Sequence, residues 1–259
     1  MMRKLLIIGL GLALPLSLAA QDSIRRRVSR DYLNVVRTIQ RAQKTLVPSR
    51  SIGLPNAASM EHAKALPAKG YGYTMRSALT RKTNFGTDEM VYGLMILGAE
   101  MGDRYGKQGT FYVGDISREA GGKLSPHVSH QGGRDVDLGL YLCDKKGKAQ
   151  GNKMVKIDKE GNAGGTLQFD LPRNWDYVCL MMDNPFFGKD IRFILIASWI
   201  KELLLNHARD RMARSRNSRE RAYLKKQINR ADKLLRHQSG HENHYHLRIK
   251  CSKDDNKKG

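Results

Sequence analysis

The sequence predicts an α+β fold in which a central antiparallel β-sheet, carrying a metal site, is flanked by helices. Three observations lead there. Two segments, 135–141 and 245–251, alternate apolar and polar residues with the period of a half-buried strand. Several other segments place apolar residues at helical spacing behind capping residues. Five of the eight histidines fall in two tight clusters, and each cluster adjoins one of the alternating segments.

The elements follow in order. Residues 1–20 read MMRKLLIIGLGLALPLSLAA, with Arg3 and Lys4 before an apolar run and small residues at Ser17, Ala19 and Ala20. That is the layout of a secretory signal peptide. The run is about a dozen residues, too short for a membrane-spanning helix. An uncleaved N-terminal anchor is the other reading. No stable membrane span is expected elsewhere. Residues 21–67 form an N-terminal helical and loop extension: Val28, Leu33, Val36 and Ile39 suggest a helix within 21–45, and Pro48, Pro55 and Pro67 suggest a loop over 46–70.

Residues 68–251 then form the main domain. Thr87 caps a helix whose stripe is Met90, Leu94, Leu97 and Met101. Thr110 to Val113 reads as a strand, and 114–129 as a Gly- and Ser-rich loop. In 135–141, Val136, Leu138 and Leu140 point one way, and Asp135, Asp137, Gly139 and Tyr141 the other. The Lys- and Gly-rich stretch 144–166 is a hairpin or exposed loop. A helix starts near Asp170, helped by Pro172 in its first turn. Ile191 to Ile196 is a buried strand, and Trp199 to Leu205 a helix. Residues 208–237 hold eleven Lys and Arg against three acids and suggest one basic amphipathic helix. It presents either a solvated face or a grip for an anionic partner. In the last strand Tyr245, Leu247, Ile249 and Cys251 share one side, and His244, His246, Arg248 and Lys250 the other. Residues 252–259 are a polar tail.

Charge and cysteine content narrow the partners. Formal net charge is +21, and loss of Arg3 and Lys4 with a signal peptide leaves +19. Such a surface attracts polyanions. With an export signal, nucleic acid is not expected. Anionic envelope polymers or the carboxylates of peptidoglycan stem peptides suit the compartment. Cys143, Cys179 and Cys251 are an odd count, so at least one thiol is unpaired within the chain, and the pairing stays open. None has zinc-ribbon spacing. Oligomeric state is not legible.

Residues two apart on a strand face the same side, so His244 and His246 point together. If the two alternating strands are neighbours, Asp137 and His246 converge. His130 lies seven residues before Asp137, across a turn eased by Gly132 and Gly133. Two imidazoles and one carboxylate are a donor set typical of catalytic zinc. An isolated HxH triplet is a weak signal; the two clusters together are a stronger one. His62, His207 and His237 stand alone and are assigned no role.

His130, Gly133 and Asp137, in HVSHQGGRDVD, match an HxxGxxxD motif, and His244 and His246, in NHYH, an HxH motif. The chain thereby resembles zinc peptidases of the lysostaphin, D-Ala-D-Ala peptidase and hedgehog-like fold. It is most similar to the penicillin-insensitive murein endopeptidases, with His127 three residues before His130 and an HxxHxH ending at His241, His244 and His246. The segments GDISREAGG and LQFDLPRNW look similar to that group too. The likeness spans roughly 68–251 and is specific at the motifs. It implies one Zn2+ held by His130, Asp137 and His246, with amide hydrolysis of D-alanyl–diaminopimelate cross-links in periplasmic peptidoglycan. His244 would be the general base or oxyanion stabiliser, with His241 assisting. His127 would orient water or bind substrate. Asp135 would steady a ligand imidazole or face solvent. No histidine lies between His130 and His207, so no auxiliary metal site is expected. Alternatives are a D,D-carboxypeptidase or dipeptidase of the same fold, and a non-catalytic wall- or polyanion-binding protein.

Overall fold

The computed structural model describes residues 28–75, 77–252 and 255. The segment read as a signal peptide, and most of the polar tail, lie outside the described residues.

Helix α1 spans Arg30–Thr45, inside the stretch where a helix was expected, and Ser29 caps it: its hydroxyl accepts from the Tyr32 amide at 3.0 Å. Where a loop was expected over 46–70, the chain forms a hairpin, β1 (Arg50–Leu54) and β2 (Ala57–Glu61), then short strands β3 (Lys64–Ala65) and β4 (Lys69–Gly70). Pro55 and Asn56 occupy only the turn, and Ser51, Ala58 and Met60 are buried by long-range packing. Strand β5 (Tyr73–Thr74), the short helix α2 (Ser77–Thr80) and strand β6 (Phe85–Gly86) lead to α3 (Asp88–Tyr105). Thr87 caps α3 as expected, accepting from the Met90 amide.

The predicted strand near 110–113 is β7 (Phe111–Tyr112). Strands β8 (Asp135–Leu138), β9 (Leu140–Asp144), β10 (Ala149–Lys153) and β11 (Leu167–Phe169) follow, so the Lys- and Gly-rich stretch is partly hairpin and partly loop. Helix α4 (Leu171–Asp183) is capped by Asp170, which accepts from the Arg173 amide at 3.1 Å. After β12 (Ile191–Ile196), the basic stretch is not one helix. Helix α5 (Ser198–Arg214) runs into it, Asn217 starts α6 (Ser218–Leu234), and β13 (Leu235–His237) ends it. The Asn217 side chain accepts from the Arg219 and Glu220 amides, and that local cap breaks the periodicity. Strand β14 (Tyr245–Ile249) closes the order.

Helices and strands mix as an α+β protein requires, but the expected single antiparallel sheet is not what forms. Among the described residues the strands fall into five small sheets, and the one bearing the site is mixed, in the order β13-β12-β14-β8. Strand β13 runs parallel to β12 because the α5–α6 pair returns the chain to the same end. β14 is antiparallel to both β12 and β8. Beneath β8 and β14 the core is aromatic: Tyr177 packs its ring 5.0 Å from Phe111, 5.2 Å from Tyr141 and 6.1 Å from Tyr245. Among the described residues no helix is long and apolar enough to cross a membrane.

Candidate metal centre

The pairing of β14 with β8 sets the site. Tyr245 lies opposite Leu138, His246 opposite Asp137, Leu247 opposite Val136 and Arg248 opposite Asp135. Val136, Leu138, Tyr245 and Leu247 enter the core, which leaves Asp135, Asp137, His246 and Arg248 on the other face. His130 reaches this face from the preceding turn. Its φ is +67°, a left-handed conformation that non-glycine residues seldom adopt. Gly133 also has a left-handed φ, and a Cβ there would fall on the Met60 thioether. The turn therefore tolerates no bulk at Gly133.

Three donor atoms converge. His246 Nδ1 is 3.0 Å from Asp137 Oδ1 and 3.2 Å from His130 Nε2, and His130 Nε2 is 3.3 Å from Asp137 Oδ1. Tetrahedral zinc with bonds of about 2.0–2.1 Å sets neighbouring ligand atoms about 3.3 Å apart, so the triangle has the right size. The remaining ring nitrogens are tied back. His130 Nδ1 donates to the Ile116 carbonyl at 3.0 Å, and His246 Nε2 to Asp135 Oδ1 at 2.8 Å. A carbonyl and a carboxylate accept only, so each neutral imidazole keeps its lone pair on the nitrogen that faces the triangle. The residues present thus fit a small divalent cation. Ligand-type atoms of His127, His130 and Asp137 also lie within 4.8 Å of one another and could hold a metal ion. His246 is the closer third member, since His127 Nδ1 stands 3.8 Å from Asp137 Oδ2.

The electrostatics agree. Burial alone would push the Asp137 carboxyl up, but His130, His246 and His244 hold it well below the usual range. Asp135, fully buried, is likewise depressed to about 2: burial opposes this, while His246, His130 and Arg248 outweigh it. Arg248 Nε donates to Asp135 Oδ1 at 2.6 Å. The expectation that Asp135 faces solvent is thereby excluded. Burial would lower His246, yet its two carboxylate partners raise it to about 9. A metal ion would have to displace that proton.

The other predicted histidines gather at the rim. His244 Nε2 is 3.5 Å from Asp137 Oδ1, and its Nδ1 is 2.6 Å from Asn243 Oδ1. Burial lowers its pKa to about 4 despite Asp137 nearby, so the ring is neutral at neutral pH. His241 packs with its ring centroid 4.8 Å from that of His244 and 5.6 Å from that of His246. Its loop is anchored from both sides: the Ala197 amide donates to the His241 carbonyl, and the Ile157 amide to the Glu242 carbonyl. His127 stacks 4.3 Å from His130 and bonds Asp115. The sequence reading missed Asp115 and the Ile116 carbonyl. Both lie in irregular chain without periodicity, and the only signal was their place in the GDISREAGG segment.

Comparison with known proteins gives a consistent result. A family model described as penicillin-insensitive murein endopeptidase matches residues 51–258. Proteins of that name are similar to this chain: one from Haemophilus influenzae (26% identical over 199 residues, 74% of this chain), one from Klebsiella pneumoniae strain 342 (25% over 205 residues, 78%) and one from Pectobacterium atrosepticum (26% over 208 residues, 79%). The matched regions span 60%, 67% and 66% of those relatives' own lengths. With four fifths of its length matched by one family model, the chain belongs to the penicillin-insensitive murein endopeptidase family.

Proposed function

We propose that the chain is a zinc-dependent endopeptidase that hydrolyses peptide cross-links of the D-alanyl–diaminopimelate type in peptidoglycan, working in the periplasm after removal of residues 1–20. The observation that carries this is the triangle of His130 Nε2, Asp137 Oδ1 and His246 Nδ1, with both imidazoles oriented from behind. These three residues would hold one zinc ion, which supplies a Lewis acid at the scissile amide. The relatives' names carry the substrate class, and the N-terminal sequence pattern carries the export.

The chain's own groups can serve the rest of the reaction. His244 Nε2, neutral and beside the triangle, accepts the proton of the attacking water and returns it to the amide nitrogen as the C–N bond breaks. His241, against His244, steadies it or bonds the substrate. Asp135, braced by Arg248, fixes the His246 ring. Residues 68–251 constitute the catalytic domain in this reading, and 21–67 an extension upon it.

The test is digestion of purified cross-linked muropeptide dimers by the full chain, with metal stripped and then restored as zinc. Conversion of dimers to monomers only with metal supports the proposal. Intact dimers under full zinc loading sink it. Release of free D-alanine from monomers would instead assign a carboxypeptidase.

A further inference from the structure

We propose that the turn between α5 and α6 is a second docking site for peptidoglycan, remote from the donor triangle, which grips the carboxylates of stem peptides other than the one being cut. The inference rests on the hydrolase reading above.

The helix pair holds its turn far from the triangle. At the start of α5 the Ala197 amide donates to the His241 carbonyl, and the Ser198 amide to His237 Nδ1 at 3.1 Å. Helix α5 then runs for 17 residues, about 24 Å at the helical rise per residue. Helix α6 brings the chain back to β13, which pairs with β12. Residues 215–217, the turn, therefore lie at the opposite end of the pair from the His241 loop.

The inner side of the pair is satisfied. Leu204, Leu205, Leu224 and Ile228 are buried. Asp183 of α4 accepts from Tyr223, Gln227 and Arg230. The turn itself is not balanced. Residues 209–226 hold eight Lys and Arg against two acids, Asp210 and Glu220. Glu220 is already taken, by Arg211 at 2.9 Å and by the Ser215 hydroxyl at 2.7 Å. Arg214, Arg216 and Arg219 are exposed, and no carboxylate among the described residues pairs with them. The Asn217 cap occupies the Arg219 and Glu220 amides, so guanidinium groups, not backbone, face an incoming anion.

Like charges crowded on one turn repel, and a multiply charged anion relieves them. The guanidinium fork matches a carboxylate bidentately. Peptidoglycan carries carboxylates along its stem peptides, and it is the polymer that the family membership supplies. A hold on one stem peptide raises the local concentration of neighbouring cross-links at the donor triangle, with no new contact there.

The experiment compares the full chain with Arg214→Gln/Arg216→Gln/Arg219→Gln and with a control of equal charge loss on α1, Arg37→Gln/Arg41→Gln/Lys44→Gln, where the side chains are also exposed. It measures co-sedimentation with sacculi freed of attached polymers, with the same sacculi after amidation of their carboxylates, and with phosphatidylglycerol vesicles. It also measures kcat/KM on soluble muropeptide dimers. The turn variant should bind sacculi about 10-fold more weakly than the wild type. Its kcat/KM on soluble dimers should stay within about twofold, because the two sites are remote. The control should bind sacculi nearly as well as the wild type, and amidation should abolish the difference between wild type and turn variant. Equal losses in the turn variant and the control would assign binding to the overall field and overturn the proposal. A turn variant that loses the vesicles but keeps the sacculi would assign the turn to a membrane surface and overturn it too. A wild type that leaves dimers intact sinks the hydrolase reading instead, and the sedimentation arms then still decide the docking site.

Discussion

Replacing Asp135 by Asn would keep its shape and remove its charge, and the consequence can be read from three contacts. Asp135 Oδ1 receives His246 Nε2 and Arg248 Nε, and its Oδ2 is buried with no hydrogen-bond partner among the described residues. Outer partners of ligating histidines typically contribute 10- to 100-fold in metal affinity, and Asp135→Asn should weaken zinc binding by about that factor in a competition titration. The two paired histidines separate by role. His246→Ala should abolish zinc binding and turnover together. His244→Ala should retain zinc and lose turnover by about 100-fold or more; loss of zinc in that variant would exchange the two assignments. The facing of Asp137 and His246 was legible because strand periodicity fixes it, whereas His130 was placed only by its distance across a glycine turn. Asp115 was not legible, because what makes it matter is a contact between two irregular segments.

At the level of elements, helix α3 holds the clearest pH response. Glu100 lies near its C-terminal end, and burial lifts its carboxyl from 4.5 to about 8, with Arg104 opposing and Asp183 and Asp103 adding. Its Oε2 is sealed without a hydrogen-bond partner among the described residues. The folded protein therefore keeps a proton that the unfolded chain releases near pH 4.5. Stability from this group is fully present below that pH and is lost as pH rises towards 8, by at most about 1.4 kcal/mol per unit. Urea melts at pH 5 and pH 8 should show a smaller difference for Glu100→Gln than for the wild type. Gly133→Ala is expected to destabilise by about 1–3 kcal/mol in the same melts, through the left-handed φ and the Met60 contact. Helix starts at Thr87 and Asp170 were readable because caps are local. The β1–β2 hairpin was not, because distant groups hold it: the Ser51 amide donates to Asp255 at 2.7 Å, and Arg134 to the Gly53 carbonyl at 2.8 Å.

Across the whole molecule the dominant feature is charge. On the α5–α6 pair, Arg211, Arg230 and Lys201 are matched by Glu220, Asp183 and Asp232, while Arg214, Arg216, Arg219, Lys225, Lys226 and Lys233 are exposed. A chain of net charge +21, or +19 without residues 1–20, should adsorb to carboxylate-bearing peptidoglycan chiefly through long-range attraction. Co-sedimentation with purified sacculi should then fall steeply between about 0.05 and 0.5 M NaCl, as the screening length shortens. Insensitivity to salt would show that close contact, not the field, holds the chain to the sacculi. Composition predicted this field directly. The mixed order of the site-bearing sheet was not predictable in that way, because it depends on where the α5–α6 pair returns the chain.

The β8–β14 register has a temporal meaning as well as a spatial one. Asp137 and His246 are 109 positions apart, and one of them sits on the last strand of the described chain. A nascent or proteolysed chain that stops short of Tyr245 lacks His246 and with it one corner of the donor triangle. A one-residue slip would turn His246 into the core and leave Tyr245 or Leu247 in its place. In the proposed reading the donor set is therefore complete only once the C-terminal strand has been made and paired, a built-in latency for a protein whose proposed target is the wall around the cell that makes it.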